Sequence, residues 1–237
     1  MASRRYSSAV NTTRKEVAIM MWLRMLVALV VLVSIGCDEG GGGTDDGTIM
    51  LRTDRSYYSY NTAPRGGEMG VSEFDGLRPA STGPGVSISG NLFQTFCIER
   101  NEWVQADGVT QYDWSLGTAA HAGGQGGGVN GADPLSDESA WLFTQFWTGT
   151  LDQYDYEGLN TRSRADSAWQ LQLAIWVLEQ ELPEDEVGTL GRHWLDEART
   201  AVSTGEWSGL GGVRVLTLTD SAGLPAQDLL VIVSTAR

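Results

Sequence analysis

The segment SRADSAWQLQLAIWVLEQEL, from Ser163 to Leu182, predicts the strongest helix of the chain. Its good helix formers run without a break until Pro183, which has no backbone N–H to continue a helix. Apolar residues cover nearly the whole circumference, so we expect this helix to be buried. Gln172 lies on that apolar surface. Burying its amide without hydrogen-bond partners would cost on the order of 2 kcal/mol, so the amide must find partners or cease to be a free amide.

Weaker helical patterns flank this segment, at 133–151, where Ser136 is the expected N-cap, and at 191–202. The glycine runs of 104–134 predict mostly loop. Strand patterns lie at 48–60, 91–99, 211–220 and 227–236. The order of strands, helices and strands predicts an α+β fold with a β-rich core, sandwich-like or barrel-like. A helical subdomain is expected as an insertion between the cysteine-bearing strand and the buried helix.

The N-terminal 36 residues have the pattern of a secretory signal, with a basic stretch, a short apolar run and then small residues. The run ends in VSIGC, which resembles a bacterial lipobox, so we expect Cys37 to carry a lipid anchor. Ordinary signal cleavage nearby is the alternative. Residues 37–47 are expected to form a Gly-rich tether and 48–237 the folded domain. The chain is thus expected to be exported and lipid-anchored to the bacterial cell envelope, facing outside the cytoplasm.

Strong negative charge limits the partners of this domain. Counted from Cys37, the chain holds 11 basic residues against 29 acidic ones, a formal charge of −18. Nucleic acid and anionic membrane surfaces are therefore poor partners by charge. All 11 basic residues are arginine, because the single lysine, Lys15, lies inside the predicted signal.

The stretch FQTFCIERNEW, from Phe93 to Trp103, holds the only cysteine besides Cys37. If Cys37 is lipidated, Cys97 has no cysteine with which to form a disulfide. A free thiol in an exported protein is open to oxidation, because the thiolate is the reactive form. The lone Cys97 therefore needs an explanation.

Two motifs carry a resemblance to a known family. Phe96-Cys97-Ile98, followed by QLAIW from Gln172 to Trp176, resembles the motif pair of the thioester domains of bacterial surface proteins. Those domains place an aromatic-Cys-aliphatic motif on a strand and a Gln-x-Ala-Ile-Trp motif on a downstream helix. The same layout also resembles exported bacterial proteins of the PEP-CTERM-associated type.

The resemblance implies an internal thioester between the Cys97 sulfur and the side-chain carbonyl of Gln172. An amine or another nucleophile on a partner surface would attack that carbonyl, leaving a covalent amide and a free thiol. Coupling would happen once per molecule, so the resemblance implies an adhesion-like binding protein without a cofactor or metal, and not an enzyme that turns over. The missing lysines would then keep the chain from reacting with itself, although the codon bias of a GC-rich genome explains them as well.

Two other hypotheses remain open at this stage. In the first, the chain is a non-covalent binding module or a structural envelope protein of the same fold. Cys97 is then a small buried apolar residue and Gln172 a satisfied core amide. In the second, it is a hydrolytic enzyme in which Cys97 acts as a nucleophile beside a histidine.

Several other polar residues are candidates for the same site or for a separate one. Gln170 is a less favoured partner for Cys97, since it lies on another face of the helix and lacks the Ala-Ile-Trp context. His121, in a Gly-rich stretch, is expected to be solvated, with assistance to proton transfer as the alternative, and His193 is expected to be structural. The acidic segments GTDDGT and NGADPLSDE do not match a calcium-binding loop register and are expected to form turns and a helix cap.

Charged and aromatic residues near the cysteine motif also have two interpretations. Glu99 and Glu102 are expected to be solvated charges at the end of a strand, or else to position an incoming amine. Most tryptophans are expected in the core, but Trp103 and Trp114 are candidates for a glycan-binding surface.

Overall fold

Six strands form one antiparallel sheet in the computed structural model, which describes residues 46–52, 67–74, 76–86, 93–121, 128, 131–157 and 161–234. In chain order these are β1 (Asp46–Arg52), β2 (Met69–Phe74), β3 (Gln94–Thr95), β4 (Asp107–Gly117), β7 (Val213–Thr219) and β8 (Leu229–Ile232). Their order across the sheet is β3-β2-β1-β4-β7-β8. A separate two-stranded hairpin consists of β5 (Ala119–His121) and β6 (Ala132–Pro134).

The two ends of this strand order meet, so the sheet is nearly closed and barrel-like. Cys97, two residues beyond β3, forms an isolated antiparallel bridge with Leu229 at the start of β8. On either side of that bridge, the Leu230 N–H donates to the Phe96 carbonyl (3.2 Å) and the Ile98 N–H donates to the Asp228 carbonyl (3.0 Å). The cysteine motif is therefore the segment that connects the two edges of the sheet.

Three α-helices follow the hairpin in the chain, namely α1 (Asp137–Trp147), α2 (Thr161–Leu178) and α3 (Thr189–Ser203), with a 3₁₀ turn at Glu184–Glu186. Both α1 and α2 pack against α3, and α1 also contacts β7 and β8. The protein is thus an α+β fold with a β-rich core. No helix among the described residues is long and apolar enough to cross a membrane.

The ends of the helices follow from local chemistry. Ser136 has extended backbone before α1 and its Oγ accepts from the Ser139 N–H at 3.1 Å, which confirms the expected N-cap. The buried helix ends at Leu178, before Pro183 is reached. Gln180 has a φ of 63°, in the left-handed region, and the Glu181 N–H turns back to the Trp176 carbonyl at 2.7 Å. This left-handed turn ends α2.

The prediction of loop for most of 104–134 was wrong, because β4 is the longest strand of the sheet. Only Tyr112 and Trp114 of β4 are fully buried, while the residues between and around them face outward or lie at intermediate depth. The strand is fixed by pairing with β1 on one side and β7 on the other. Its polar outer face gave a weak strand pattern in the sequence.

Aromatic packing holds the cysteine motif against α1. The Phe96 ring meets Phe146 edge-on with centroids 4.9 Å apart, and Phe93 packs on Trp147 at 5.3 Å. Such pairs contribute about 0.5–1.5 kcal/mol each beyond their buried area. The motif is therefore held by the sheet on one side and by a helix on the other.

Some of the sequence predictions lie outside the described residues. These are the signal 1–36, the lipidation site Cys37 and the tether as far as residue 45. The last two residues of the expected tether, Asp46 and Gly47, belong to β1.

Replacing Ser136 by Ala is expected to destabilise the protein by about 1 kcal/mol or more, because the serine caps α1 and its hydroxyl also donates to the Glu179 carboxylate at 2.6 Å. Urea unfolding monitored by tryptophan fluorescence measures the change. Ser203→Ala, at an exposed site near the end of α3, is the control and should change stability by less than about 0.5 kcal/mol. Equal effects of the two variants would contradict the capping role.

Candidate functional site

The carboxamide of Gln172 is bound by the backbone of Cys97. Its Oε1 accepts from the Cys97 N–H at 2.9 Å, and its Nε2 donates to the Cys97 carbonyl at 2.7 Å. Oε1 also accepts from the Gly67 N–H at 3.3 Å. Both Gln172 and Cys97 have no exposed surface. The side chain thus pairs with Cys97 as a residue on a neighbouring strand would do.

The register of the β2–β3 ladder explains why two N–H groups meet at one oxygen. Met69 is opposite Thr95 and Gly70 is opposite Gln94. Two residues further out, the same register would place Gly67 opposite Cys97. Instead, the Gln172 amide lies between them and takes the N–H of both. Gly67 has a φ of 97°, a backbone conformation that favours glycine.

The Cys97 thiol lies in a strongly desolvated environment. Burial, with the nearby charge of Glu102 adding to it, raises the pKa of this thiol well above its usual range. Cys97 is also free of any disulfide within the described chain. The thiol is therefore protonated at neutral pH, and a reaction at sulfur needs a base that takes its proton.

Glu102 is the acidic residue whose charge acts on the Cys97 thiol. Burial raises the pKa of Glu102 to about 7, and the neighbouring Asp228 carboxylate contributes to the rise. The Glu102 Oε2 atom is buried without a hydrogen-bond partner among the described residues. A carboxyl with a pKa near 7 whose charge acts on a buried thiol is a candidate general base.

The backbone of Asp228 donates to Glu102, and the Asp228 side chain binds His121. Asp228 is fully buried, and one carboxylate oxygen lies 3.2 Å from His121 Nδ1 while the other accepts from the His121 backbone N–H. The His121 side chain is 39% exposed. This pairing holds His121, which was expected in a loop, at the end of β5.

A buried ion pair lies behind the contact between Gly67 and Gln172. Glu68, which follows Gly67, accepts from Arg164 Nη2 at 3.1 Å and from Gln94 Nε2 at 2.8 Å. The Tyr154 hydroxyl also donates to Glu68. Burial raises the pKa of Glu68 to about 7, while Arg164 and Tyr154 oppose that rise.

This ion pair fixes two of the elements that meet at the amide. Arg164 lies on α2, two helical turns before Gln172, and Glu68 immediately precedes β2. Arg164 Nη2 additionally donates to Gln94 Oε1 in β3 at 3.0 Å. The network therefore ties together α2, β2 and β3, whose residues supply the donors and the amide.

The structure separates Cys97 from the other candidate partner and from the second histidine. Gln170 Oε1 accepts from the Gly188 N–H at 2.9 Å, so it caps the start of α3. His193 lies beside Asp152 and Glu197, with Nε2 at 3.3 and 3.6 Å from their carboxylates. Of the amides and histidines considered from sequence, Gln172 alone bonds to Cys97 in the described part of the chain.

Two expectations about residues near the cysteine were wrong. Glu99 is completely buried and is not a solvated charge, because the segment after Cys97 turns inward toward β6 and the end of α2. Trp114 is 2% exposed, since it is on the inner face of β4, and it is not available to a glycan. Trp103 is 57% exposed and lines an open surface groove with residues of β4 and of the β7–β8 connection. Neither Cys97 nor Gln172 lines this groove.

Sequence reasoning missed Gly67, the Glu68–Arg164 pair and Asp228. Gly67 is one of many glycines, and nothing local distinguishes it. Glu68 and Arg164 are 96 positions apart, so only the folded chain brings them together. An arginine on the otherwise apolar face of the predicted helix was the one available signal, since a buried arginine requires a partner.

Comparison of this chain with protein-family models, with curated proteins and with solved structures found no match.

Replacing Arg164 by Met is expected to destabilise the protein by about 3–5 kcal/mol, because it leaves the Glu68 carboxylate buried without its cation. The free energy of unfolding in urea measures this loss. Arg199→Met is the matched control, since Arg199 pairs with Glu184 on the surface at 2.7 Å and should cost no more than about 1 kcal/mol. Similar losses in both variants would show that the buried pair does not hold the site.

Proposed function

We propose that this chain is a thioester domain in which Cys97 and Gln172 form an internal acyl-sulfur bond that couples covalently to an amine on a partner surface. The observation that carries the proposal is the bonding of the Gln172 carboxamide to the Cys97 backbone, with two N–H donors on its oxygen. This agrees with the resemblance of the two motifs to bacterial surface thioester domains.

Bond formation would proceed by attack of the Cys97 sulfur on the side-chain carbonyl carbon of Gln172. The negative charge that develops on Oε1 is stabilised by the N–H groups of Cys97 and Gly67, an arrangement equivalent to an oxyanion hole. The carbon–nitrogen bond of the amide then breaks and ammonia leaves, taking the proton that the thiol gave up. The products are a thioester and one ammonia molecule.

Glu102 would carry that proton. Its carboxylate accepts the proton from the thiol, and its protonated form then donates to the departing nitrogen. A group with a pKa of about 7 suits both steps at neutral pH. Glu102 is partly exposed, so exchange with solvent would reset its protonation state.

Capture of a partner would transfer the acyl group of Gln172 from the Cys97 sulfur to an amine. An amine attacks the Gln172 carbonyl carbon, an amide forms, and the Cys97 sulfur leaves as a thiol. The full burial of both residues protects the thioester from water before capture. Because the new amide is not cleaved again, each molecule reacts once, and the role is adhesion-like binding and not turnover.

The proposal includes export and anchoring of the chain. The signal pattern of 1–36 and the lipobox-like Cys37 support a lipid-anchored protein facing outside the cytoplasm, with the Gly-rich segment as a tether. The expected helical insertion is part of the same proposal. It is supported by the position of α1 in the chain between the Cys97 segment and the helix that carries Gln172.

A second candidate is a non-covalent binding or structural envelope module of the same fold. It is favoured by the fact that Oε1 and Nε2 of Gln172 both have hydrogen-bond partners, so the buried amide has no need to react. In that case Cys97 serves as a small buried apolar residue.

Intact-mass measurement of the purified chain distinguishes these two functions. If the thioester forms, the mass is lower than that of the sequence by one ammonia, and the deficit disappears in Cys97→Ala and in Gln172→Ala. Gln170→Ala is the matched control on the same helix and should keep the deficit, because Gln170 bonds to Gly188. Methylamine should add to Gln172 and release a thiol that a thiol reagent detects after unfolding. A full unmodified mass in freshly folded wild-type chain would establish the second candidate.

The rate of thioester formation is expected to rise as pH increases through about 7, because Glu102 must lose its proton before it can accept one from Cys97. Ammonia release on refolding of unfolded chain, measured at pH values on either side of 7, gives this profile. Glu102→Gln should slow formation by about 10²–10⁴-fold and remove the inflection.

Glu206→Gln is the control for the removal of one carboxylate, since Glu206 is exposed and follows the end of α3. It should leave both the rate and its pH profile unchanged. If Glu102→Gln forms the thioester as fast as wild type, Glu102 is not the base.

A further inference from the structure

Three carboxylates from distant parts of the chain meet in the interior, beside the cysteine motif. Glu99 follows that motif, Asp133 is the buried middle residue of β6, and Glu181 follows α2. They are 0%, 6% and 1% exposed, in that order. One oxygen from each lies within 4.8 Å of one oxygen of the other two.

Asp133 provides a second observation that points to a ligand. Its Oδ2 is buried and has no hydrogen-bond partner among the described residues. Burial, with the charge of Glu181 adding to it, raises the pKa of Asp133. A buried carboxylate oxygen without a donor costs free energy that a bound cation would remove.

The end of α2 adds to the negative potential at this place. A helix C-terminus carries a partial negative charge, which favours cations and disfavours carboxylates nearby. Glu181 nevertheless lies within three residues of the last helical residue, Leu178. A carboxylate at this end of a helix is stabilised if a cation is bound between it and its neighbours.

We propose that Glu99, Asp133 and Glu181 bind a divalent cation, and that the cation is Ca²⁺. Calcium takes oxygen ligands at about 2.3–2.6 Å, so two oxygens on one ion are separated by up to about 5 Å, and the three carboxylates lie within that limit. Magnesium dehydrates reluctantly and usually takes one or two carboxylates together with several waters, whereas three buried carboxylates meet here. Zinc prefers nitrogen and sulfur ligands, and the cluster has neither. Water molecules would complete the coordination shell.

The Arg100 backbone helps to orient one of the ligands. Its N–H donates to Glu181 Oε2 at 3.1 Å, which restrains the carboxylate. The bound ion would join the segment after Cys97, the β5–β6 hairpin and the end of the helix that carries Gln172. It would therefore stabilise the packing of these three elements whether or not a thioester forms.

The second cluster of potential ligands is a suitable comparison. Asp152, His193 and Glu197 also lie within reach of one ion, but all three are partly exposed. His193 already pairs with both carboxylates of that cluster, so neither depends on an added cation there. A variant in this cluster therefore controls for non-specific binding to exposed acids.

Calorimetric titration of the purified, chelator-treated chain with CaCl₂ tests the proposal. Wild type should bind one Ca²⁺ more tightly than Mg²⁺, and saturating Ca²⁺ should raise the midpoint of thermal unfolding by about 5 °C. Asp133→Asn should weaken binding at least tenfold, whereas Asp152→Asn should bind as wild type. Cys97→Ala should also bind as wild type, which separates this proposal from the thioester.

Three results would overturn the calcium site. The first is the absence of both binding heat and thermal shift in wild type at millimolar CaCl₂. The second is equal affinity of wild type and Asp133→Asn. The third is weaker binding by Asp152→Asn with unchanged binding by Asp133→Asn. If Asp133→Asn does not fold, the comparison of Ca²⁺ with Mg²⁺ in wild type decides, and tighter binding of Mg²⁺ would contradict the assignment.

Discussion

The carboxamide of Gln172, held between the backbones of Gly67 and Cys97, is the contact on which the rest of the structure depends. For an amide to occupy this position, β2 and β3 must diverge beyond Met69 and Thr95, and α2 must pack directly over the gap. A helix that is apolar nearly all round is driven into that position by burial, and the hydrogen bonds then fix which side chain enters. Closure of the sheet through the Cys97–Leu229 bridge completes the other side.

The sequence predicts those parts of this arrangement that depend on local pattern. The predicted helix at 163–182, the N-cap at Ser136 and the predicted strands at 211–220 and 227–236 all correspond to elements of the structure. The Cys97 and Gln172 pair was identified by motif resemblance, and the structure brings the two residues into hydrogen-bond contact. Their reaction remains a proposal, because hydrogen bonding to an amide is also the means by which a core satisfies one.

The residues that sequence analysis missed are those whose environment is made by distant segments. Glu99 has no local reason to be buried, since only the arrival of β6 and the end of α2 encloses it. The buried Glu68 carboxylate depends on pairing with Arg164 of α2, because an uncompensated buried charge is strongly destabilising. Strand β4 was missed because its buried face is limited to two aromatic residues, and its register is set by its neighbours and not by its own pattern.

The same two N–H donors would bind Gln172 whether its amide is a stable part of the core or reacts with Cys97. These hydrogen bonds therefore do not distinguish the two functions. The N–H groups of Cys97 and Gly67 bind the carbonyl oxygen in the ground state and would bind it more strongly as an oxyanion forms, because the oxygen then carries full charge in a buried site. Whether Gln172 could react depends on the proton on the Cys97 sulfur, which burial holds in place. In the proposed reaction Glu102 would take that proton, and its buried Oε2, which has no hydrogen-bond partner among the described residues, leaves room for this role.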